Sequence, residues 1–303
     1  MDERVVWVSG VGGTFAVTSD GGETWRAGVV PGADSLEFRD VEGMSDRVAY
    51  LLAAGPGDRS RIYRTEDGGH TWSLQFTNRD TSAFYDCFAF WDARRGFTMS
   101  DAVGGRFPVV RTADGRVWSD IGDRLPPAQD GEGAFAASGT CTAVAGARHG
   151  WIATGAAARA RVLRTQDGGE TWTAAGTPIA QGSQTSGGAS IAFRDTLHGI
   201  LGGGDIGAPQ AFTDNIAVSS DGGRRWALAT RPPFPGAIYG LAYVPAGDGR
   251  TVVATGPGGA AWSPDEGRTW RIIEGAQEYW AVGFGGRSGW LVGTGGRILR
   301  LTF

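Results

Sequence analysis

The sequence predicts an all-β fold built from repeated four-stranded units, and three observations support that prediction. One octet, a Ser or Thr followed by Asp, Gly and a final Trp, occurs six times along the 303 residues, with the third copy one residue short. Successive aspartates lie between 44 residues (Asp221 to Asp265) and 54 residues (Asp167 to Asp221) apart, a period typical of repeat architectures. The chain also has 52 glycines, which suit tight turns, whereas an interior Gly costs a helix about 1 kcal/mol relative to Ala.

The octet itself has an explanation in the chemistry of turns. The six aspartates are Asp20, Asp67, Asp114, Asp167, Asp221 and Asp265. An Asp side chain in a turn accepts backbone N–H groups from the residues just ahead of it, and the Gly supplies a left-handed backbone position. The Trp buries a large ring between neighbouring units. Because the same Asp recurs in every repeat, we predict a structural role for all six rather than a catalytic one.

The strand pattern between the octets predicts a seven-bladed β-propeller of four-stranded antiparallel blades, forming one domain over residues 1–303. The predicted blades are residues 5–29, 36–76, 83–121, 133–175, 188–229, 237–273 and 279–302. By this assignment the first blade lacks its inner strand and the last lacks its outer strand. We therefore expect that residues before Met1 are missing from this sequence, or that its start is misassigned, and that a signal peptide is missing with them.

The octets resemble the Asp-box, or BNR, repeat of sialidases and other propellers. Over nearly its whole length the chain is similar to the photosystem II stability/assembly factor-like propellers (WD40/YVTN/BNR-like), with DGGxTW hairpins and R-[IV]-x-R-T strands. Residues 38–42 (FRDVE), 88–92 (FAFWD) and 131–141 (GEGAFAASGTC) resemble a bacterial branch of that group, often labelled oxidoreductase. The resemblance implies a seven-bladed propeller that is usually exported, and it implies no established chemistry.

Composition narrows the classes of partner. The formal net charge is −4 and the chain has no block of basic residues, so we expect no nucleic-acid surface. No apolar run approaches the roughly 20 residues of a membrane span. We expect an exported monomer, periplasmic or extracellular, whose signal peptide is absent from this chain, and a cytoplasmic location stays open.

Cysteine, histidine and glycine patterns indicate no cofactor. Cys87 and Cys141 each lie in a predicted buried strand, where we favour two small unbonded hydrophobic side chains. A disulfide between neighbouring inner strands stays open. The three histidines lie in turns without a spacing that would share a metal. The glycine-rich residues 202–205 and 293–296 are not followed by a helical pattern, so neither predicts a dinucleotide site.

One face of the predicted propeller has the longer, more polar loops. The octet turns join third to fourth strands and define the octet face, whereas the loops between second and third strands define the opposite, funnel face. The starts of the inner strands are expected to bring Asp40, Asp86, Glu132, Tyr239, Glu278 and Tyr279 to the funnel face. The long loops there add Asp58, Arg59, Arg61, Asp101, Arg106, Arg159, Arg161 and Asp205.

These side chains favour two functions. The first is a binding or assembly propeller whose funnel face holds a protein segment, a polar small molecule or a sugar. Its candidate ligand-binding residues are Arg59, Arg61, Arg106, Arg159, Arg161, Asp205, Tyr239 and Tyr279. The alternative is a glycoside hydrolase or lyase using two carboxylates as acid and base, with Glu132, Asp101, Asp86 and Asp40 as candidates. It also stays open that these acids only cap backbone groups or face water in the channel.

Overall fold

The computed structural model describes residues 3–303 and consists of short antiparallel strands. Blade 1 has β1 (Val6–Ser9), β2 (Thr14–Thr18) and β3 (Arg26–Val29). Blade 2 has β4 (Phe38–Gly43), β5 (Ala49–Ala53), β6 (Arg61–Thr65) and β7 (Ser73–Thr77). Blade 3 has β8 (Tyr85–Phe90), β9 (Gly96–Ser100), β10 (Val109–Thr112) and β11 (Trp118–Asp120). Blade 4 has β12 (Thr142–Ala145), β13 (His149–Ala153), β14 (Arg161–Thr165) and β15 (Thr173–Gly176).

The remaining three blades follow the same order along the chain. Blade 5 has β16 (Ser186–Phe193), β17 (Gly199–Asp205), β18 (Ile216–Ser219) and β19 (Ala227–Leu228). Blade 6 has β20 (Gly240–Tyr243), β21 (Val252–Gly256), β22 (Gly259–Ser263) and β23 (Arg271–Ile272). Blade 7 has β24 (Tyr279–Gly285), β25 (Ser288–Gly293) and β26 (Ile298–Thr302). Single 3-10 turns occur at Gly57–Arg59, Gly122–Arg124 and Thr294–Gly296.

The seven sheets form a ring around a central channel. Within each sheet, consecutive strands pair antiparallel. The first strands of blades 2 to 7 contact one another in chain order, from β4 and β8 through to β20 and β24. The prediction of a seven-bladed β-propeller is therefore confirmed. Five blades have four strands and blades 1 and 7 have three, as the strand-by-strand assignment expected.

Blades 1 and 7 meet through side chains and single backbone contacts. The Glu3 carboxylate accepts the backbone N–H of Arg287 at 2.6 Å, and Gly22 lies against the indole of Trp290. Over residues 3–303, neither blade contributes a strand to the sheet of the other. In blade 1, β1 contacts β4 and lines the central channel directly.

The octets form hydrogen-bonded turns of one kind. In the second copy, Thr65 Oγ1 donates to Asp67 at 2.9 Å and accepts the backbone N–H of Gly69 at 2.8 Å. The other end of the turn is closed by Asp67, which accepts the backbone N–H of Thr71 at 2.9 Å. These hydrogen bonds, first that from the Thr71 hydroxyl, hold the pKa of Asp67 well below its usual range. Each such turn orders a hairpin on the octet face.

The hydrophobic core lies between adjacent blades. Trp151 of β13 stacks on Phe193 of β16, with ring centroids 3.5 Å apart and planes 6° from parallel. An octet tryptophan, Trp72, packs edge-on against Trp7 at 6.0 Å between centroids. Large aromatic rings therefore fill the wedges between blades, which is where the hydrophobic contribution to stability is concentrated.

Our expectation of two unbonded cysteines was wrong. Cys87 in β8 and Cys141, just before β12, form a disulfide with Cα atoms 5.9 Å apart. Both side chains are fully buried. The inner strands of blades 3 and 4 lie side by side around the channel, which brings the two Cα atoms within the range that a disulfide can span.

Candidate functional site

Residues 133–141, which we call the plug, cross the funnel-face mouth of the channel. They precede the inner strand of blade 4, yet they contact blades on both sides of the ring. The carbonyl of Ala136 accepts from Arg39 of blade 2 at 3.2 Å, and Ser138 Oγ donates to the carbonyl of Tyr239, at the start of blade 6. Thr140 Oγ1 lies 2.6 Å from Ser190 Oγ of blade 5. The plug therefore lies over the axis, and its end is covalently held by the Cys87–Cys141 disulfide.

The plug divides the axial space of the ring. A cavity of about 750 Å³ is lined by Ser138, Gly139 and Thr140 of the plug and by residues from all seven blades. Its walls are mainly the later halves of the inner strands, which run toward the octet face. The sequence led us to expect that ionisable side chains surround an open cavity on the funnel face. The structure instead places the open part of the channel below the plug.

Two predicted carboxyl groups lie against the plug, and one of them binds its backbone. Asp101 Oδ1 accepts the N–H of Ala134 at 3.1 Å, and burial raises the pKa of Asp101 to about 6. Asp86 is 2% exposed, and the nearby backbone N–H groups of Asp101 and Ala136 lower the pKa of its carboxyl group only slightly. Burial, followed by the nearby charge of Asp101, raises the pKa of Asp86 well above its ordinary value. Asp86 Oδ2 is left without a hydrogen-bond partner among the described residues.

A third predicted carboxyl group, Asp40, supports the plug from blade 2. Its Oδ2 accepts the backbone N–H of Phe88 at 2.8 Å, and burial raises the pKa of Asp40 well above its ordinary value. Gly139 of the plug lies directly against the Asp40 carboxyl group, so that a Cβ at this position would collide with it. Gly139 also has a φ of 74°, a backbone conformation that favours glycine. Both the contact with Asp40 and the backbone conformation therefore favour glycine at this position.

Glu132 forms a buried ion pair at the base of the plug. Arg161 contacts both of its carboxylate oxygens, and the Nε–Oε1 distance is 2.9 Å. Thr154 Oγ1 donates to Oε1 at 2.6 Å and the N–H of Gln129 donates to Oε2 at 2.8 Å. The carboxylate is fully buried, and each of its oxygens has two donors. Glu132 and Arg161, both predicted as site residues, are therefore brought together as an anchor.

The other predicted loop arginines lie apart from one another. Arg106 binds Asp120 at 2.7 Å and Asp123 at 2.6 Å. Arg61 pairs with the exposed Asp58 at 3.4 Å. Each is bound within its own blade, so these two arginines do not converge on a common ligand position.

The remaining predicted loop residues are more open to solvent. Arg59 donates to the carbonyl of Ser35 at 3.2 Å, and the Arg159 side chain is exposed. Asp205 accepts the N–H of Gly207 at 2.9 Å within its own turn. Their positions on different loops do not create one pocket.

Aromatic side chains lie beside the plug on the funnel face. Tyr239 and Trp280 pack edge to face with ring centroids 5.4 Å apart, and Trp280 is 36% exposed. Phe135 of the plug is partly exposed as well. Of the other predicted residues, Tyr279 is partly buried and its carbonyl accepts from Thr255 at 2.7 Å, whereas Glu278 is exposed. Sequence reasoning missed Trp280 and Phe135, although Trp280 directly follows the predicted Tyr279.

Glu42 is a further residue that sequence reasoning missed. It lies on β4 two positions after Asp40, so the two side chains share a face of the strand and both line the cavity. Burial raises the pKa of Glu42 to about 7. The FRDVE segment contained the signal, because its two acids are spaced by the period of a strand.

Residues 3–303 contain no metal-binding cluster and no membrane-spanning helix. No group of three or more His, Cys, Asp or Glu side chains in this range could hold a metal ion. Likewise, no helix within this range is long and apolar enough to cross a membrane.

Comparison with known proteins supports the fold. No family model matches this chain, and no curated protein matches it. Among solved structures, YCF48 bound to D1 peptide is similar with a TM-score of 0.67 and 16% identity, over 100% of this chain and 89% of that chain. YCF48 from Cyanidioschyzon merolae gives a TM-score of 0.64 and 18% identity, over 99% and 92%.

An ancestral GH74 enzyme is similar as well, with a TM-score of 0.62 and 16% identity over 87% of this chain and 36% of that chain. At such identities the likeness shows a shared fold. The resemblance to assembly factor-like proteins implied a propeller fold, and that fold is confirmed.

Proposed function

We propose that this chain is a binding propeller that holds an extended protein segment across its funnel face, over the plug. The main support is the plug itself, because it occupies the funnel-face mouth of the channel, where an open active site would otherwise lie. Asp101 is used there to hold the backbone N–H of Ala134, and Asp86 is buried beside the plug. A structure of YCF48 with this fold was determined with a D1 peptide bound, which agrees with a propeller that binds peptide segments.

The contact residues that we propose are the aromatic side chains beside the plug. Trp280 and Tyr239 form an edge-to-face pair, and partly exposed aromatic rings are frequent binding hot spots. Ser138 donates to the backbone of Tyr239, so the pair is fixed to the plug. The exposed Arg59 and Arg159 would contribute at the rim, where charges affect association rates more than affinity.

Selection from a displayed library of random 12-residue peptides, followed by calorimetry, tests this proposal. Trp280→Ala and Tyr239→Ala should each weaken the selected peptides at least tenfold, since truncated hot spots cost about 2 kcal/mol or more. Val117→Ala is the matched control, because Val117 is 65% exposed in an octet turn on the opposite face. Equal affinities for all three variants, or a failure to select any peptide, would remove the proposal.

The alternative is a carbohydrate-active enzyme, and one observation favours it. The charge of Asp101 helps to raise the pKa of Asp86, and coupled carboxyl groups of this kind can supply an acid at neutral pH. Asp101→Asn and Asp86→Asn should then abolish hydrolysis of a polysaccharide panel that includes xyloglucan. Asp40→Asn and Glu132→Gln are measured in the same assay, because Asp40 and Glu132 are the other two predicted catalytic candidates. An inactive wild-type protein across the panel would exclude these substrates.

We further propose that the protein is an exported monomer. The buried Cys87–Cys141 disulfide supports export, because disulfides persist in oxidising compartments. Maleimide labelling of the protein in its native cells should leave both cysteines unmodified after denaturation without reductant. Light scattering should give the mass of one chain, 31.7 kDa, and a clearly larger mass would contradict the monomer.

A further inference from the structure

Three consecutive blades have an arginine at the same position of the third strand, directly before the Thr that opens the octet. These arginines are Arg64 in β6, Arg111 in β10 and Arg164 in β14. In the strand register each lies opposite an aromatic residue of the second strand, namely Tyr50, Phe97 and Trp151 respectively. The repeat therefore places the three arginines alike and predicts the same kind of partner for each.

At the first two junctions between these blades, a carboxylate neutralises the arginine. Glu66 Oε1 accepts from Arg64 at 2.9 Å and from Arg116, in the octet of blade 3, at 3.1 Å. Arg111 binds Glu170, in the octet of blade 4, at 2.7 Å. At both junctions, one carboxylate therefore lies between the third strand of one blade and the octet of the next.

The junction between blades 4 and 5 has the same frame as the junction between blades 2 and 3. Between blades 2 and 3, the Tyr50 hydroxyl donates to the carbonyl of Gly115 in the next octet at 3.1 Å. Between blades 4 and 5, Trp151 Nε1 donates to the carbonyl of Gly222 in the next octet at 3.0 Å. The octet of the following blade is thus held beside the second strand in the same way at both junctions.

The junction between blades 4 and 5 lacks the carboxylate. The position that corresponds to Glu66 is occupied by Gln166, and the octet position that corresponds to Glu170 is occupied by Arg224. Within residues 3–303, the guanidinium groups of Arg164 and Arg224 have no hydrogen-bond or ion-pair partner. Two arginines therefore face this junction without the acid that the other two junctions contain.

The charges of these two arginines oppose each other. Arg164 is partly buried, and burial, followed by the charge of Arg224, lowers the pKa of Arg164. Asp221 also acts on Arg164, but its Oδ1 already accepts the backbone N–H groups of Arg224 and Arg225 at 3.0 Å each. A charge that is partly removed from water is costly unless it is paired, so this junction is complementary to an anion from solution.

We propose that Arg164 and Arg224 bind inorganic phosphate, a small oxyanion, in the position that the Glu66 carboxylate takes at the corresponding junction. A phosphate dianion brings two negative charges to two arginines, and its oxygens suit the planar donor groups of guanidinium. The site lies on the octet face, opposite the plug. Phosphate binding here and peptide binding at Trp280 are thus independent, and each can fail without the other.

Calorimetric titration with sodium phosphate, in Tris buffer at pH 8 and at constant ionic strength, tests the site. We expect a dissociation constant of about 1 mM or below, the range that a few charge-assisted hydrogen bonds provide, and no heat of binding from sodium chloride. Arg224→Gln should weaken phosphate binding about tenfold or more. Arg225→Gln is the matched control, because Arg225 is an exposed neighbour in the same octet, and it should leave binding nearly unchanged. No binding to the unmodified protein, or similar affinities for the two variants, would overturn the proposal.

Exchange of the residues at the two corresponding positions locates the site. Gln166→Glu supplies the carboxylate from the chain itself, so it should abolish phosphate binding and raise the melting temperature in chloride. Gln210→Glu, at an exposed position of a funnel-face loop, is the control and should change neither. The double substitution Gln166→Glu and Glu66→Gln should bind phosphate again, now at the junction between blades 2 and 3. Phosphate binding that persists in Gln166→Glu, or a double variant that does not bind, would contradict the proposal.

Discussion

Removal of the Cys87–Cys141 disulfide tests how firmly the plug is held. The bond joins residues 54 positions apart, and closing a loop of that length in the unfolded chain corresponds to about 4 kcal/mol at 25 °C. The double substitution Cys87→Ala and Cys141→Ala removes the bond without leaving a free thiol. We expect the free energy of unfolding to fall by about that amount.

Urea unfolding and calorimetry provide the measurement. For a chain of 303 residues, a loss of about 4 kcal/mol corresponds to a melting temperature lower by about 6 °C. Reduction of the wild-type protein in denaturant, followed by refolding with reductant, is the control, because it breaks the bond and keeps both side chains. A loss below about 1 kcal/mol in both experiments would refute the reasoning from chain entropy.

Three further predictions concern the groups around the plug. Glu132→Gln should destabilise the protein by about 1–3 kcal/mol in urea unfolding, because it leaves the partly buried charge of Arg161 without its partner. Because Asp86 and Asp101 have raised pKa values in the folded state, the folded protein binds protons that the unfolded chain releases. The octet aspartates, such as Asp67, have lowered pKa values and give the opposite slope near pH 4. Stability should therefore fall as pH rises from about 5 to 6, and a melting temperature that rises over that interval would contradict the assignment. Gly139→Ala should cost about 1–3 kcal/mol through its positive φ alone, and an unchanged melting temperature would show that the plug adapts.

The fold could be predicted because its main signal is local. In each octet, the residues that make the turn are contiguous, as with Thr65, Asp67 and Gly69. Their hydrogen bonds therefore depend on a few neighbouring positions rather than on distant chain segments. The period of the octets indicated a repeat fold, and the strand pattern between them indicated seven blades and located the two blades with three strands.

The candidate site was harder to predict because its environment depends on long-range packing. Spacing places Asp86 near the axis, but whether its carboxyl group meets water or backbone N–H groups depends on the path of the plug, about 50 residues further along. The pairing of Cys87 with Cys141 was hard to predict for the same reason, because it also depends on long-range packing. Glu132 lies between two glycines in the sequence, whereas its partner Arg161 lies on β14, 29 residues away.

The junction between blades 1 and 7 has a mechanical consequence. Because no described strand belongs to both blades, only contacts such as Glu3 with Arg287 and Gly22 with Trp290 close the ring there. Under thermal fluctuation or an applied force, this seam should part before any hairpin unravels. Amide deuterium uptake would then begin along β1 and β26, which are edge strands of blades 1 and 7, and the protein would pass through an opened arc whose five central blades are still intact.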